Sequence, residues 1–222
     1  MSELSSTFVR LHARLAPVPF VPEVRLHQAD EPIGLWELTE GEFSSDRPPP
    51  FWAFAWAGGQ ALARYVTDHP QVVAGRRVLD LASGSGLVAI AAARAGAASV
   101  RAVEVDELAV AAVALNAQAN GVRVDAQFGD ILDGDAGDAE VVLAGDVFYS
   151  DAMARRVLRF LLRAARAGAP ALVGDPGRAF LPRDRFDELA NYDVPVPEAL
   201  ESVRVKRTTV WQLRTELPGA AR

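Results

Sequence analysis

"VLDLASGSGLVAIAAA", Val78 to Ala93, changes character at its midpoint. The first half, within "RRVLDLA", reads as a buried strand, and "LVAIAAARAG" reads as an almost wholly apolar helix closed by Gly96. Between them, Gly84 and Gly86 let the main chain approach a ligand where a Cβ would obstruct it. The helix that follows points its free N–H groups at the same place. Taken alone, this turn is either a ligand cradle or only a tight strand-to-helix connection.

Outward from it the two signals keep alternating. "SVRAVEV", "VRVDAQF", "AEVVLAGDV" and "APALVGDP" read as strands, with a late strand at "RTTVWQLR". Helices are predicted from Gln60 to the His69-Pro70 stop, over "ELAVAAVALNAQA" with Asp106 as its cap, and over "AMARRVLRFLLRAARAG" capped by Ser150 or Asp151. A shorter helix is expected around Arg183 to Ala190. Parallel strands need crossover connections, so this order predicts an α/β fold whose mostly parallel sheet carries helices on both faces. Residues 1–49 form a mixed leader, a short amphipathic run followed by a proline-spaced segment, which the breaker "DRPPP" (Asp46–Pro50) ends.

Two carboxylates sharpen the reading of the turn. Asp80 ends the first strand. Glu104 ends the second, about 20 residues beyond the glycines, where nucleotide folds place the acid that reads a ribose. "GSGLVA" also fits the nicotinamide pattern G-x-G-x-x-A. Asp80 separates the two, because a pyrophosphate brought to this loop would meet a like charge. S-adenosylmethionine carries no phosphate, and its amino and sulfonium groups are cationic. The acid is compatible with that donor and useful to it.

Asp130, after the third strand, stands where a carboxylate meets an adenine amino group, or in an ordinary exposed turn. Asp146 and Tyr149 follow the fourth strand at the carboxyl edge of the sheet, where open α/β sheets bind ligands. In "PFWAFAWAGGQALARY" (Pro50–Tyr65), Phe51, Trp52, Phe54 and Trp56 precede Gly58-Gly59. They either pack the leader onto the sheet or face a ligand. Aromatic faces attract cations by about 0.5–2 kcal/mol, which suits a reaction that handles a sulfonium and an ammonium.

Composition narrows the classes. Half of the 222 residues are apolar and the net charge is −6, which argues against wrapping a nucleic-acid backbone. The chain has no cysteine, and Lys206 is its one lysine, so disulfides, thiolate zinc sites and a P-loop are excluded. His12, His27 and His69 lack metal-ligand spacing, and no metal is expected. "DGDAGDAE" lacks the glycine and glutamate of a calcium loop. No serine sits in G-x-S-x-G. No apolar run is long enough for a bilayer, and the first residues lack a secretory h-region, so a cytoplasmic protein without a membrane partner is expected.

"VLDLASGSGLVAIAAA", "VEVD", "AGDVFY" and "GDPGR" together resemble the class I (seven-β-strand) S-adenosylmethionine-dependent methyltransferases. Within them the chain looks like the lysine methyltransferases of the electron transfer flavoprotein β subunit. The likeness includes the leader "VPEVRLHQADEPIGLWELTE" and the tail "VKRTTVWQL". It implies a Rossmann-like fold with a seven-stranded sheet, an N-terminal extension over 1–49 and a methyltransferase domain over 50–222. It also implies S-adenosylmethionine as donor, S-adenosylhomocysteine as product, and the flavoprotein β subunit as protein substrate.

Carried over residue by residue, the resemblance places Asp80, Ser83, Gly84 and Gly86 around the methionyl part, Glu104 on the ribose, and Trp56 and Ala144 along the donor pocket. Asp130 is then the adenine acid, although Ile131 and Leu132 follow it where relatives often carry an aromatic residue. Asp146 and Tyr149 fall on the substrate-lysine side as the catalytic pair, with Phe51, Trp52, Asp175 and Arg178 as substrate-binding residues. Rival readings are a methyltransferase acting on a ribosomal protein or a small molecule and, in a different class, a nicotinamide-dependent reductase.

Overall fold

β-Branched and apolar runs too short for helices pair into one sheet, and the intervening periodic segments cover it. The structure is a computed structural model that describes residues 3–29 and 49–215. After α1 (Glu3–His12), strands β1 (Arg14–Val18) and β2 (Val21–Gln28) form an antiparallel hairpin. Next come α2 (Ala57–Asp68), β3 (Arg77–Leu81), α3 (Leu87–Arg94), β4 (Ser99–Glu104), α4 (Glu107–Ala119) and β5 (Asp125–Phe128). β6 (Val141–Gly145), α5 (Asp151–Arg166), β7 (Ala171–Asp175), β8 (Phe186–Pro195), α6 (Glu198–Glu201) and β9 (Val205–Leu213) follow. Residues 30–48, with the "DEPIGLWELTE" portion of the leader and most of "DRPPP", lie outside the described residues.

The main sheet has seven strands in the order β5-β4-β3-β6-β7-β9-β8. β5 through β7 are parallel, and β9 is antiparallel to both of its neighbours. Alternate strand residues feed two cores, as a period of two requires. Val78, Val100, Val141 and Leu143 face α2 and α3, while Leu79, Leu81, Val142 and Val173 face α5 through Val157, Phe160 and Leu161. The chain runs outward from β3 to β4 and β5, then returns to β6 on the other side of β3. That reversal opens a crevice beyond the carboxyl ends of β3 and β6.

The leader is more ordered than its prolines suggest. A two-stranded hairpin has free edges on both sides, so Pro17 and Pro22 forfeit little by lacking an N–H. β2 packs Val24 and Leu26 into the core. It is pinned by Asn116 of α4, whose Oδ1 accepts from the His27 main chain at 2.8 Å, and by Asn120, which bonds Arg25. Gln60, fully buried in α2, accepts from Phe20 N and donates to Ala55 O and Pro195 O, tying hairpin, helix and sheet edge together.

The expected helix over Arg183 to Ala190 is a correction. Arg183–Arg185 is a single 3-10 turn, and Phe186 then opens β8, a ten-residue edge strand. Its helix-like "DELA" is overridden by pairing with β9 from Phe186↔Leu213 to Pro195↔Val205, with a bulge at Glu188/Ala190. The charges Asp187, Glu188 and Asp193 are what an exposed sheet edge carries.

Candidate active site

The glycine turn is built from left-handed backbone. Ala82 (φ +52°), Gly84 and Gly86 (φ +81°) reverse the chain between β3 and α3. At Gly86 a Cβ would also press on Val113 of α4 at 3.1 Å, so both conformation and space call for glycine. Asp80, buried at the end of β3, holds the turn from below. Its Oδ2 accepts from Ser83 Oγ at 2.8 Å and from Ala89 N, one of the free donors in the first turn of α3, at 2.9 Å. Burial outweighs these bonds and, with Glu104 nearby, pushes its carboxyl up to about 7. Oδ1 makes no hydrogen bond among the described residues.

Glu104 stands at the end of β4, beside the turn. Its Oε1 accepts from Gly84 N at 2.7 Å and Oε2 from Val105 N at 2.9 Å. Burial raises this carboxyl too, against those two bonds. Asn116 reaches the turn from behind, donating to Ser85 O at 2.8 Å. One α4 side chain therefore joins the glycine turn to the leader hairpin.

The crevice lies in front of these groups. Its main chamber, about 230 Å³, is lined by Phe51, Trp52, Trp56, Glu104, Tyr149 and Arg178 among others. A smaller lobe of about 50 Å³ reaches Asp80, Ser83 and Leu87. Trp56, Ala82, Gly84, Gly145 and Asp146 line both. Arg178 is the one cation lining either part among the described residues.

The aromatic stretch divides between the two roles open to it. Trp52 and Phe54 are core residues, packed with Val9 of α1 and Ala109 and Ala112 of α4, although Trp52 also forms part of the chamber wall. Phe51 and Trp56 are only half-buried and meet edge-to-face at 5.8 Å, with Trp56 Nε1 donating to Phe51 O. Phe51 reaches Tyr149 at the same ring separation, and Tyr149 is half exposed at the mouth. Gly58 and Gly59 then bring α2 against the ends of β6 and β7. A Cβ at Gly58 would stand 2.6 Å from Asp146 Oδ2 and closer still to the Gly174 carbonyl oxygen.

Asp146 is not a free carboxylate awaiting a partner. It sits at φ +57°, its Oδ2 accepts from Gly59 N at 2.9 Å, and its Oδ1 accepts from Arg178 Nη2 at 2.8 Å. Burial raises its pKa against the lowering effect of Arg178. The Arg178 Cζ lies 5.9 Å from the Trp56 ring, within cation–π range.

Three assigned roles need correction. Ala144 is fully buried among Leu79, Val103 and Phe148, and the neighbouring Gly145 lines the crevice in its place. Asp130 is not among the lining residues. Its carboxylate turns to Arg156 at 2.8 Å, and that hydrogen bond holds its pKa low. Asp175 does not line the crevice either. Its Oδ1 accepts from Gly177 N and Arg178 N at 2.7 Å each, so it shapes the turn that carries Arg178. Burial, more than the nearby Asp146 charge, pushes its carboxyl up to about 6. Val105, Asp106 and Met153 in the wall, and Glu201 behind Arg178, were not among the expected site residues. Met153 and Glu201 are distant in the chain from the glycine turn and follow no local pattern.

The family model of the ribosomal protein L11 methyltransferase (PrmA) matches residues 60–161. The electron transfer flavoprotein beta subunit lysine methyltransferase of Xenopus laevis is 33% identical, covering 92% of this chain and 85% of the relative. That of Danio rerio is 35% identical over 86% of this chain and 76% of its own length. Among solved structures, an RNA methyltransferase from Salinibacter ruber in complex with S-adenosyl-L-homocysteine superposes with a TM-score of 0.50 at 20% identity. It covers 73% of this chain and 96% of that one, and shares the fold. By its likeness to the frog and zebrafish proteins over most of its length, the chain belongs to the family of electron transfer flavoprotein beta subunit lysine methyltransferases.

Proposed function

We propose that this protein transfers methyl groups from S-adenosylmethionine to lysine side chains of the electron transfer flavoprotein β subunit. The observation that carries the donor is the charge of the crevice. Asp80 and Glu104 flank the glycine turn, and Arg178 is already engaged by Asp146. A pyrophosphate would find two acids there and no uncommitted cation among the described lining residues, whereas a cationic, phosphate-free nucleoside finds partners. The match to the ribosomal protein L11 methyltransferase family spans residues 60–161, which takes in the glycine turn, Glu104 and Asp146 but ends before Asp175 and Arg178. In this reading residues 50–222 are the methyltransferase domain and 1–49 an extension whose hairpin packs Val24 and Leu26 on the core. No described helix is long and apolar enough to cross a membrane.

Asp80, through Oδ1, and the Ser83–Gly86 turn would hold the methionyl end of the donor, and Glu104 its ribose. When bound, the donor supplies an electrophilic methyl group on a sulfonium. The residues must then align a lysine nitrogen with that carbon and exclude water from the line of attack. The amine lone pair forms the N–C bond as the S–C bond breaks, its electrons staying on sulfur as a neutral thioether. Only an unprotonated amine can do this. At neutral pH, freeing an ordinary lysine of its proton costs about 4–5 kcal/mol. Phe51, Trp56 and Tyr149 reduce that cost by desolvating the ammonium, and the proton leaves to solvent at the open mouth.

Incubating the purified protein with donor and flavoprotein β subunit, followed by peptide mass spectrometry, tests the proposal. Whole-methyl mass gains on lysine are expected. An unmodified subunit, beside methylation of another class of molecule, would contradict it.

A further inference from the structure

Four charges of alternating sign run from the crevice to the sheet edge: Asp146, Arg178, Glu201 and Lys206. Arg178 Nη2 is 2.8 Å from Asp146 Oδ1 and 3.5 Å from Glu201 Oε1. The other Glu201 oxygen binds Lys206 Nζ, the chain's one lysine. The inner members are well covered, with side-chain exposures of 10% for Asp146, 23% for Arg178 and 6% for Glu201. Four separate segments supply the row: the end of β6, the turn after β7, α6 and the start of β9. Such a row is costly to assemble in a partly dry place unless each member is paired.

The row bears on a difficulty in the chemistry. A lone carboxylate beside the acceptor would hold the lysine as ammonium, the form that cannot attack, because an opposite charge favours the charged state. Arg178 cancels the Asp146 charge at close range, and Lys206 cancels that of Glu201, so the four charges sum to zero. The aromatic walls then favour the neutral amine without opposition, while Asp146 still offers a lone pair for orientation.

On the proposed methylation reaction, we infer that Arg178 is a positioning residue that sets the protonation of the acceptor lysine by neutralising Asp146 at the mouth of the crevice. The other charged or titratable groups around the pair are Asp175 beneath the Arg178 turn, Glu201 and Lys206 behind it, and Glu104, Asp106 and Tyr149 across the chamber. Arg178 contacts the Asp146 carboxylate directly and is the one cation lining the chamber among the described residues. Its guanidinium against Trp56 places that charge in the wall the lysine must pass.

The test is the pH dependence of single-turnover methyl transfer to the flavoprotein β subunit, alongside donor affinity by calorimetry. In Arg178→Gln the bare Asp146 charge should move the alkaline rise of the rate upward by about 1 pH unit or more. Donor affinity should stay near that of the wild type, and the rate should recover in alkali. Arg178→Lys, which keeps the charge, should hold the wild-type position even if slower. Glu201→Gln provides an independent arm, since it leaves the row with a net positive charge and should move the rise to lower pH. An unmoved rise in Arg178→Gln, or inactivity at every pH with donor still bound, overturns the inference. If Arg178→Gln does not fold, an unmoved rise in Glu201→Gln overturns it. Wild-type protein that transfers no methyl group refutes the proposed function instead, so the two failures are distinguishable.

Discussion

Asp146→Asn should lower methyl transfer by about 10²–10³-fold while donor affinity changes little. Asparagine tolerates the left-handed backbone at this position, so the fold should hold. The amide cannot serve both partners of the carboxylate. If its oxygen accepts from Arg178, its NH₂ faces Gly59 N–H, donor against donor. Arg178 is left as an uncompensated cation at the mouth, which repels an incoming ammonium and leaves the amine unoriented. The donor-side groups Asp80, Ser83 and Glu104 do not depend on this carboxylate. Steady-state rates with the flavoprotein β subunit, paired with donor titration, give the answer. Full activity in the variant would remove Asp146 from the reaction.

Gly58→Ala should be among the most damaging of the small substitutions. The added carbon has backbone on one side and Asp146 Oδ2 at 2.6 Å on the other. Backbone cannot rotate away as a flexible side chain can, so α2 must lift from β7. Overpacking of this kind costs about 1–3 kcal/mol or more, which for a chain this size lowers Tm by about 2–12 °C. The adjacent Gly59→Ala is the internal control. Its Cβ would meet nothing nearer than Leu87 Cδ2 at 4.0 Å, and alanine favours a helix. Thermal melting should therefore show a large loss at position 58 and little or none at 59. Equal losses would mean that the Gly58–Gly174 contact does not position α2.

What could be read from the sequence was what local pattern encodes. The β3–turn–α3 unit, the acids closing β3 and β4, and the caps at Asp106 and Ser150 each announce themselves within a few residues. The structure places them as expected: Asp106 accepts from Leu108 N and Ser150 from Met153 N. Pairing between distant segments was not legible. "FDELANYD" carries helix-forming residues, and only β9, some twenty residues on, makes it a strand. The hairpin in the leader was hidden by its prolines. Asp130 was placed correctly at the end of β5, but Arg156, a residue of α5, decides where its carboxylate points. The ion pair that defines Asp146 joins positions 146, 178 and 201, which no spacing rule connects. The aromatic stretch was ambiguous for a physical reason: its rings divide between two sides within six residues, Trp52 and Phe54 packing the core while Phe51 and Trp56 face the crevice.

The acid beneath the glycine turn should select a cationic nucleoside over a dinucleotide. Calorimetric titration of the purified protein with S-adenosylmethionine and, separately, with a nicotinamide dinucleotide measures that selection. S-Adenosylmethionine should bind. Because its cationic groups require ionised Asp80, whose carboxyl in the free protein titrates at about 7, the affinity should weaken as the pH falls below that value. The dinucleotide should not bind above that pH, where Asp80 is ionised. A dinucleotide that binds there, and that S-adenosylmethionine cannot displace, would mean that Asp80 does not select the donor.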